Sequence, residues 1–233
     1  MKAAVYSGTR KVYKDIVPSL KSMLKNTSIE RVYVLIEDDE FPEWLPECVE
    51  VRNVSRQEYF PKDGPNFGCY WTYMVLLRSA YFRMFPEYDR ILSTDYDTIY
   101  LKDVPELWTM NMDRYYFAAV REPKKSSGRN YINAGIMLQN LEKMRDGKGD
   151  EIIRDLNEKH WAFPEQEAMN VLCEGHVYYL PGDYNYTEDG TTDPIMFAKK
   201  IIHYPGRAEW RNFPLVEQYR NMSWEEVLEG RHA

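Results

Sequence analysis

The chain has 233 residues, of which 44% are hydrophobic and 29% charged, and its formal net charge is −7. This composition is that of a folded globular protein, and the negative charge argues against a general nucleic-acid or anionic-membrane binder. Three scattered cysteines exclude a disulfide framework and favour a reducing, cytoplasmic location, and no apolar run is long enough to predict a transmembrane segment.

Strand and helix signals alternate along most of the chain. The first strands are predicted at Ala3–Ser7 and Arg31–Ile36, and the second is an unbroken apolar run typical of a strand buried on both faces. Further strands are predicted at 49–54, 89–94, 115–120, 131–139, 177–180 and 200–203. Helices are predicted at 14–25, 71–85, 150–159, 165–174 and 224–229, the last with Ser223 as its N-cap, and loops at 59–68 and 122–130. This alternation predicts an α/β fold whose mostly parallel sheet lies between layers of helices.

A pair of aspartates follows the strand predicted at 89–94. On an extended chain, Asp95 and Asp97 point to the same face. Two carboxylates aimed at one point repel unless a cation lies between them, and Mg²⁺ or Mn²⁺ bound together with substrate phosphates would satisfy both. The pair lies at the C-terminal end of a predicted central strand, where open α/β sheets bind ligands. The alternative for so short a motif is a polar turn at the end of a strand.

Four blocks of the sequence resemble glycosyltransferase family 8, the glycogenin-like and lipopolysaccharide galactosyltransferase-like group. They are the Asp-x-Asp block at 92–99, the Asn-Ala-Gly strand at 131–138, the Glu-Gln-x-x-x-Asn helix at 165–170 and the His-x-x-Gly block at 203–206. The resemblance implies a GT-A fold, with residues 1–233 forming one α/β domain on a twisted nucleotide-binding sheet. It also implies a divalent metal, usually Mn²⁺, between the Asp-x-Asp and a nucleotide-sugar diphosphate, and hexose transfer with retention of anomeric configuration.

The resemblance assigns roles to residues in these blocks. It implies that Asp95, Asp97 and His203 hold the metal, and imidazole suits Mn²⁺ better than Mg²⁺. The alternative for His203 is a strand-end histidine with a structural hydrogen bond. Three residues are expected to act on the donor sugar, with the last of them under its β face: Asn133, Glu165 and Gln166. Glu165 stands where the family usually has aspartate.

The same resemblance predicts a nucleotide-binding surface around the turn after the first strand. The residues expected there are Tyr6, Ser7, Gly8, Thr9, Tyr13, Arg78, Thr94, Tyr96, Asn133, Ala134, Gly206 and Arg207. Tyr13 is expected to pack against uracil, with a role in internal packing as the alternative. Arg78 is expected to contact the donor, although Arg83 competes with it for this role and an ordinary surface arginine is the alternative.

One segment departs from the family pattern. After His-x-x-Gly the family usually has Lys-Pro-Trp, with the lysine reaching the diphosphate, whereas this chain has Arg207-Ala208-Glu209-Trp210-Arg211. A carboxylate at Glu209 would repel the donor. Either Arg207 or Arg211 replaces the lysine through a changed loop path, or the loop closes less tightly over the diphosphate. We expect Arg207 to replace the lysine, and the alternative is that both arginines are solvated surface residues.

Together these features predict a metal-dependent retaining glycosyltransferase that uses UDP-glucose or UDP-galactose. The acceptor could be a glycan, a protein or a small molecule. Two other classes remain open. A nucleotidyltransferase also pairs aspartates on an α/β sheet, but it usually carries an early Gly-rich basic loop, of which residues 7–11 are a faint version. A non-catalytic nucleotide-sugar-binding protein is the other class, because Glu165 and Glu209 depart from the family pattern.

Overall fold

The computed structural model describes residues 1–122, 130–187 and 194–229. These residues form two sheets from the strands β1 (Ala3–Ser7), β2 (Arg31–Ile36), β3 (Val49–Asn53), β4 (Arg90–Thr94), β5 (Thr98–Tyr100), β6 (Phe117–Arg121), β7 (Ile132–Asn140), β8 (Val177–Leu180), β9 (Tyr186–Thr187) and β10 (Ile201–His203). Seven strands make the larger sheet, in the order β3-β2-β1-β4-β7-β6-β8, and the smaller sheet has the order β5-β10-β9.

The direction of β7 determines what meets at the edge of the larger sheet. Every neighbouring pair in this sheet is parallel except the two pairs that β7 makes with β4 and β6. Because β7 runs in reverse, its first residues lie at the edge where the other strands end. The backbone N–H of Asp95, just after β4, accordingly donates to the carbonyl of Gly135 near the start of β7, at 2.7 Å.

Helices cover both faces of the larger sheet. They are α1 (Tyr13–Asn26), α2 (Tyr81–Met84), α3 (Glu106–Thr109), α4 (Leu141–Met144), α5 (Lys148–Glu158), α6 (Pro164–Leu172), α7 (Pro214–Asn221) and α8 (Trp224–Leu228). The apolar face of α1 buries Ile16 and Leu20 in one core, whereas Leu156 of α5 and Met169 of α6 belong to a second core. This burial of apolar surface on both sides explains the continuous apolar runs of the central strands.

The smaller sheet places β10, in the last part of the chain, next to β5, which follows β4 in sequence. β10 pairs antiparallel with β5, so that His203 lies opposite Thr98, and parallel with β9. A third core lies against this sheet and includes Ile202, Tyr204 and Trp210. Within the described residues, every helix is too short or too polar to span a lipid bilayer.

Most predicted elements are confirmed to within two residues. Residues 59–68 contain no helix or strand, and Ser223 caps α8 through a reciprocal bond pair with Glu226. Of the connection predicted at 122–130, residues 123–129 lie outside the described residues. The sequence reading did not predict α3 or α7.

The helix predicted over 71–85 is wrong. The structure has turns, a 3-10 helix at Leu76–Ala80 and the single turn of α2. Thr72 has a φ of +66°, a left-handed conformation that an α-helix does not contain. Beyond it, the N–H groups of Leu76 and Arg78 bond to carbonyls three residues back, which is the 3-10 pattern. All five residues of the 3-10 helix are buried, so tertiary packing rather than one apolar stripe sets the conformation of this segment.

Candidate active site

The three residues predicted to hold a metal lie together at the edge of the larger sheet. Asp95 follows β4, Asp97 precedes β5, and His203 ends β10. One ligand atom from each residue lies within 4.8 Å of the others. His203 Nε2 is 3.3 Å from Asp97 Oδ1 and 3.7 Å from Asp95 Oδ2. The carboxylates of the two aspartates therefore point into one region, and the imidazole of His203 borders this region.

The donor set of this cluster fits a divalent cation. Asp97 Oδ1 and His203 Nε2 are buried and have no hydrogen-bond partner among the described residues. Buried polar atoms without a hydrogen bond are costly, and a cation between these two atoms, which lie 3.3 Å apart, would give a partner to both. Burial lowers the pKa of His203, but the charges of Asp97 and Asp95 outweigh this effect and leave the pKa above its usual value. The same negative field attracts a cation, and carboxylate oxygens with an imidazole nitrogen suit Mn²⁺.

Arg78 lies next to this cluster, and its side chain bonds to residues in β7, in α6 and just after β4. It belongs to the 3-10 helix at Leu76–Ala80, and only 4% of it is exposed. Nη2 pairs with Asp95, whereas Nη1 donates to the carbonyl of Ala134 at 2.8 Å and to Glu165 Oε1 at 3.2 Å. The alternative of an ordinary surface arginine is therefore wrong. Arg83, the competing residue, is half-exposed and pairs with Asp150.

Glu165 is a buried carboxyl at the start of α6. Burial raises its pKa to about 7, although the charge of Arg78 opposes the increase. The charge of Arg78 offsets only part of this increase in pKa, because Arg78 also pairs with Asp95, which makes the shorter contact. Near neutral pH, Glu165 thus holds a proton for an appreciable fraction of the time, in contrast to a surface glutamate.

The two amides predicted to meet the donor sugar are both held in place. Gln166 Oε1 accepts from the N–H of Ala134 at 2.8 Å, and its Nε2 donates to the hydroxyl of Tyr131 at 3.0 Å. Asn133 Oδ1 accepts from the N–H of Gly135 at 3.0 Å. Both amide side chains are half-buried. The predicted metal and sugar residues thus occupy the same edge of the sheet.

Gly135 lies at the centre of this site, at a position with no room for a side chain. A Cβ on this residue would overlap His203 Cε1, and it would lie 2.9 Å from both Asp95 Oδ2 and Asn133 Oδ1. Any side chain here would displace a predicted metal ligand or a predicted sugar contact. The small residue in the Asn-Ala-Gly block is therefore explained by close packing.

The turn after β1 lies at the same edge. Ser7 and Thr9 are half-buried, and the N–H of Gly8 donates to the carbonyl of Leu35 at 3.1 Å. A Cβ on Gly8 would stand 2.5 Å from Val12 Cγ2, so any larger residue here would force the side chain of Val12 to move. Its backbone and the two flanking side chains remain candidates for nucleotide contacts.

Three residues predicted to contact the nucleotide have side chains in the core instead. Tyr6 is fully buried with its hydroxyl bonded to Ser19, and Thr94 is buried with its hydroxyl bonded to Thr98. Tyr13 is buried too. Its hydroxyl accepts from the N–H of Glu37 and donates to Asp38, and its ring packs against Phe41. The side chain of Tyr13 therefore has the packing role that was its alternative.

The segment after β10 contains Arg207 and Arg211, the two candidates to replace the family lysine. Gly206 has a φ of +71°, which favours glycine. Arg207 and Glu209 lie side by side, with 3.7 Å between Nη1 and Oε1. Arg211 instead makes two hydrogen bonds, of 2.8 and 2.6 Å, to Asp15 of α1. Tyr96, between the two aspartates, is half-buried beside Trp210.

Sequence reasoning missed one residue of the site, Asn185. It is buried between His203 and Asn133, and it makes a hydrogen bond to each of them. The available signal was its place after the strand predicted at 177–180, because loops that follow parallel strands meet at one edge of the sheet.

The chain is similar in sequence to known glycosyltransferases. The sequence matches the family model described as glycosyl transferase family 8 over residues 16–210. The lipopolysaccharide 1,2-glucosyltransferase of Escherichia coli (strain K12) is 26% identical over 247 residues, which cover 88% of this chain and 73% of that protein. Across the curated relatives that it matches, the chain spans from a third to about three-quarters of their length.

Solved structures show the same fold. GlyE of Streptococcus pneumoniae TIGR4 superposes with a TM-score of 0.74 at 18% identity, over 98% of this chain and 63% of that one. The galactosyltransferase LgtC, in complex with donor and acceptor sugar analogs, gives a TM-score of 0.66 at 17% identity, over 99% of this chain and 100% of that one. The fold is the GT-A fold predicted from the sequence. With a family match that extends from α1 to Trp210, the chain belongs to glycosyltransferase family 8.

Proposed function

We propose that the chain is a metal-dependent enzyme that transfers glucose or galactose from UDP to an acceptor with retention of anomeric configuration. The observation that carries this proposal is the cluster of Asp95, Asp97 and His203, in which two buried ligand atoms lack a partner. A divalent cation bound there would supply Lewis-acid stabilisation of the leaving diphosphate. Residues 1–233 are proposed to form a single domain.

In this proposal the chain's own residues bind and orient the donor. Asp95, Asp97 and His203 would hold Mn²⁺, or Mg²⁺ in its place, and Arg78 keeps Asp95 in position from below. The half-buried turn at Ser7–Thr9 would bind the nucleotide, mainly through backbone groups. Arg207 would bind the diphosphate, since a guanidinium can donate two hydrogen bonds to phosphate oxygens.

The donor sugar would lie against the start of β7 and the first turn of α6. Gln166 is held with its side chain at this edge by Ala134 and Tyr131, so it can offer a polar group under the β face of the sugar. Asn133 would hydrogen-bond a sugar hydroxyl. Glucose and galactose are proposed because one relative is named a glucosyltransferase and one structural neighbour a galactosyltransferase.

The test is a screen of nucleotide sugars with Mn²⁺ or EDTA, read out as nucleotide release, together with calorimetry of UDP binding. We expect hydrolysis or transfer from UDP-glucose or UDP-galactose, and Mn²⁺ should raise the affinity for UDP. Asp97→Ala should remove most of this increase, whereas Asp63→Ala, in an exposed loop, should not. Equal UDP affinity with Mn²⁺ and with EDTA, or a preference for GDP- or CDP-sugars, would contradict the proposal.

The same screen separates the two alternatives left open by the sequence. A nucleotidyltransferase would consume a nucleoside triphosphate and release pyrophosphate. A non-catalytic protein would bind UDP-sugar in the presence of Mn²⁺ but would release no UDP.

A further inference from the structure

Asn185 connects the two sheets at the candidate active site. It lies between the 3-10 helix at Gly182–Tyr184 and β9, and only 4% of it is exposed. Its Oδ1 is 2.8 Å from His203 Nδ1 of the smaller sheet, and its Nδ2 is 2.9 Å from Asn133 Oδ1 of the larger sheet. A single buried amide thus bridges a candidate metal ligand and a candidate sugar contact.

The direction of each hydrogen bond in the series that links Gly135, Asn133, Asn185 and His203 follows from one backbone group. The N–H of Gly135 can only donate, so the Asn133 atom 3.0 Å from it is the carbonyl oxygen. That oxygen also faces Asn185, which must present its amide nitrogen, because the reverse orientation would bring two acceptor oxygens together. Asn185 Oδ1 then faces His203 Nδ1, and an acceptor at this position requires a proton on Nδ1.

This order leaves His203 Nε2 as the atom available to a cation. Nε2 faces Asp97 Oδ1 at 3.3 Å and Asp95 Oδ2 at 3.7 Å. The bond to Asn185 therefore determines which ring nitrogen of the neutral imidazole carries the proton. A histidine that binds a metal usually donates its other ring N–H to such a partner, and loss of that partner typically weakens metal binding about 10- to 100-fold.

We propose that Asn185 is a positioning residue with two effects. Its carbonyl keeps the proton of His203 on Nδ1, so that Nε2 points at the cation position. Its amide group holds Asn133 relative to His203, so that the cation and the sugar part of the donor are bound in a fixed mutual position. The inference rests on the proposed function, because it assumes a cation at the cluster and a sugar at Asn133.

Two substitutions separate the two effects. Asn185→Leu is close in volume and loses both hydrogen bonds. Asn185→Asp keeps an acceptor for His203 Nδ1 but cannot donate to Asn133. Asn66→Leu is the matched control, because Asn66 is an equally buried amide that donates to the carbonyls of Leu156 and Lys159 around the end of α5.

The first measurement is Mn²⁺ affinity without nucleotide, by paramagnetic resonance of free Mn²⁺, on variants shown to be folded by circular dichroism. We expect Asn185→Leu to bind Mn²⁺ about 10- to 100-fold more weakly than the wild type. Asn66→Leu should bind it like the wild type, and Asn185→Asp should bind it no more weakly, because a carboxylate acceptor raises the basicity of the imidazole. In calorimetry with Mn²⁺, Asn185→Asp should lose the difference in affinity between UDP-sugar and UDP, while Asn66→Leu keeps it.

A measurement on the wild type alone covers the case in which Asn185→Leu does not fold. With diamagnetic Mg²⁺ bound, a ¹⁵N spectrum of the four histidine rings should show the His203 proton on Nδ1. A proton on Nε2, or a folded Asn185→Leu variant with wild-type Mn²⁺ affinity, would overturn the inference alone. A wild-type protein that binds no divalent cation would overturn the proposed function and this inference with it.

Discussion

The imidazole ring of His203 packs directly against the backbone of Gly135. These residues are 68 positions apart in sequence and belong to different sheets, yet a Cβ on Gly135 would overlap His203 Cε1. The position of a candidate metal ligand on β10 therefore depends on the absence of a side chain on β7.

Gly135→Ala tests this dependence. The added methyl group should push the imidazole away from Asp95 and Asp97, and we expect Mn²⁺ affinity to fall about tenfold or more, as for other disturbances around a metal ligand. The measurement is Mn²⁺ binding by paramagnetic resonance. Gly68→Ala is the control, because Gly68 is exposed and a Cβ there meets nothing within 4 Å. Wild-type affinity in Gly135→Ala would show that the site can relax around the methyl group.

Retention of configuration is a second prediction, and it follows from the family to which the chain belongs. Gln166 is held at the edge of the sheet by Ala134 and Tyr131, which suits a group that stabilises the sugar from its β face. An α-linked donor should thus give an α-linked product. The proton NMR spectrum of freshly formed product decides the question, and a large anomeric coupling typical of a β linkage would contradict the prediction.

Arg207 and Arg211 should differ in their effect on donor use. Arg207 directly follows Gly206 of the His-x-x-Gly block and pairs with Glu209, and Arg211, four residues further on, pairs with Asp15. A direct guanidinium contact to phosphate is worth roughly 1.5–3 kcal/mol, or about ten- to a hundredfold in affinity or rate. We expect Arg207→Ala to weaken use of UDP-sugar by that factor with the fold intact, and Arg211→Ala to do less. The reverse order in steady-state kinetics would mean that the diphosphate lies closer to Arg211.

The buried Glu165 should leave a signature in the pH dependence of stability. Burial raises its pKa from 4.5 to about 7 in the folded protein. The folded state therefore binds this proton more tightly than the unfolded chain, and the resulting stability is present below about pH 4.5 and lost as the pH rises through about 7. Relative to Glu165→Gln, the unfolding free energy of the wild type should fall by on the order of 2–3 kcal/mol across this range.

Urea unfolding at several pH values between 4.5 and 8, with EDTA present, measures this difference. Glu58→Gln, which replaces an exposed glutamate, serves as the control and should follow the wild type. Parallel pH profiles for the wild type and Glu165→Gln would mean that Arg78 keeps Glu165 ionised over the whole range.

The elements that could be predicted from the sequence are those with a strong local pattern. The apolar run of β2 and the amphipathic α1 are confirmed almost to the residue. The position of Asp95 and Asp97 followed from the strand before them, and the order of the blocks that resemble the family linked them to His203. The family resemblance, rather than periodicity, joined residues that are more than 100 positions apart in sequence.

Long-range packing determined what the sequence did not predict. The segment at 71–85 has helix-forming composition, but burial on all sides and the left-handed Thr72 impose a 3-10 helix. Tyr6 and Tyr13 flank the predicted nucleotide turn, and only the fold shows that the hydroxyl of Tyr6 is bonded to Ser19 in the core and that of Tyr13 to Asp38. Asn185 was not identified because its two partners come from β7 and β10, which the sequence does not place side by side, and only its place after the strand predicted at 177–180 pointed to this edge.

Because β7 runs in reverse, the segments that carry the site and the connections that do not emerge at opposite ends of the strands of the larger sheet. The segments after β1, β4, β6 and β8 and the segment before β7 all emerge at the edge that carries the site. The connections before β2 and β4 emerge at the opposite edge, where no candidate site residue lies. New donor or acceptor preferences can therefore be engineered by loop exchange at one edge, whereas changes in the connections before β2 and β4 should affect stability rather than the site, because Ile29 and Tyr88 of these connections are buried in the core.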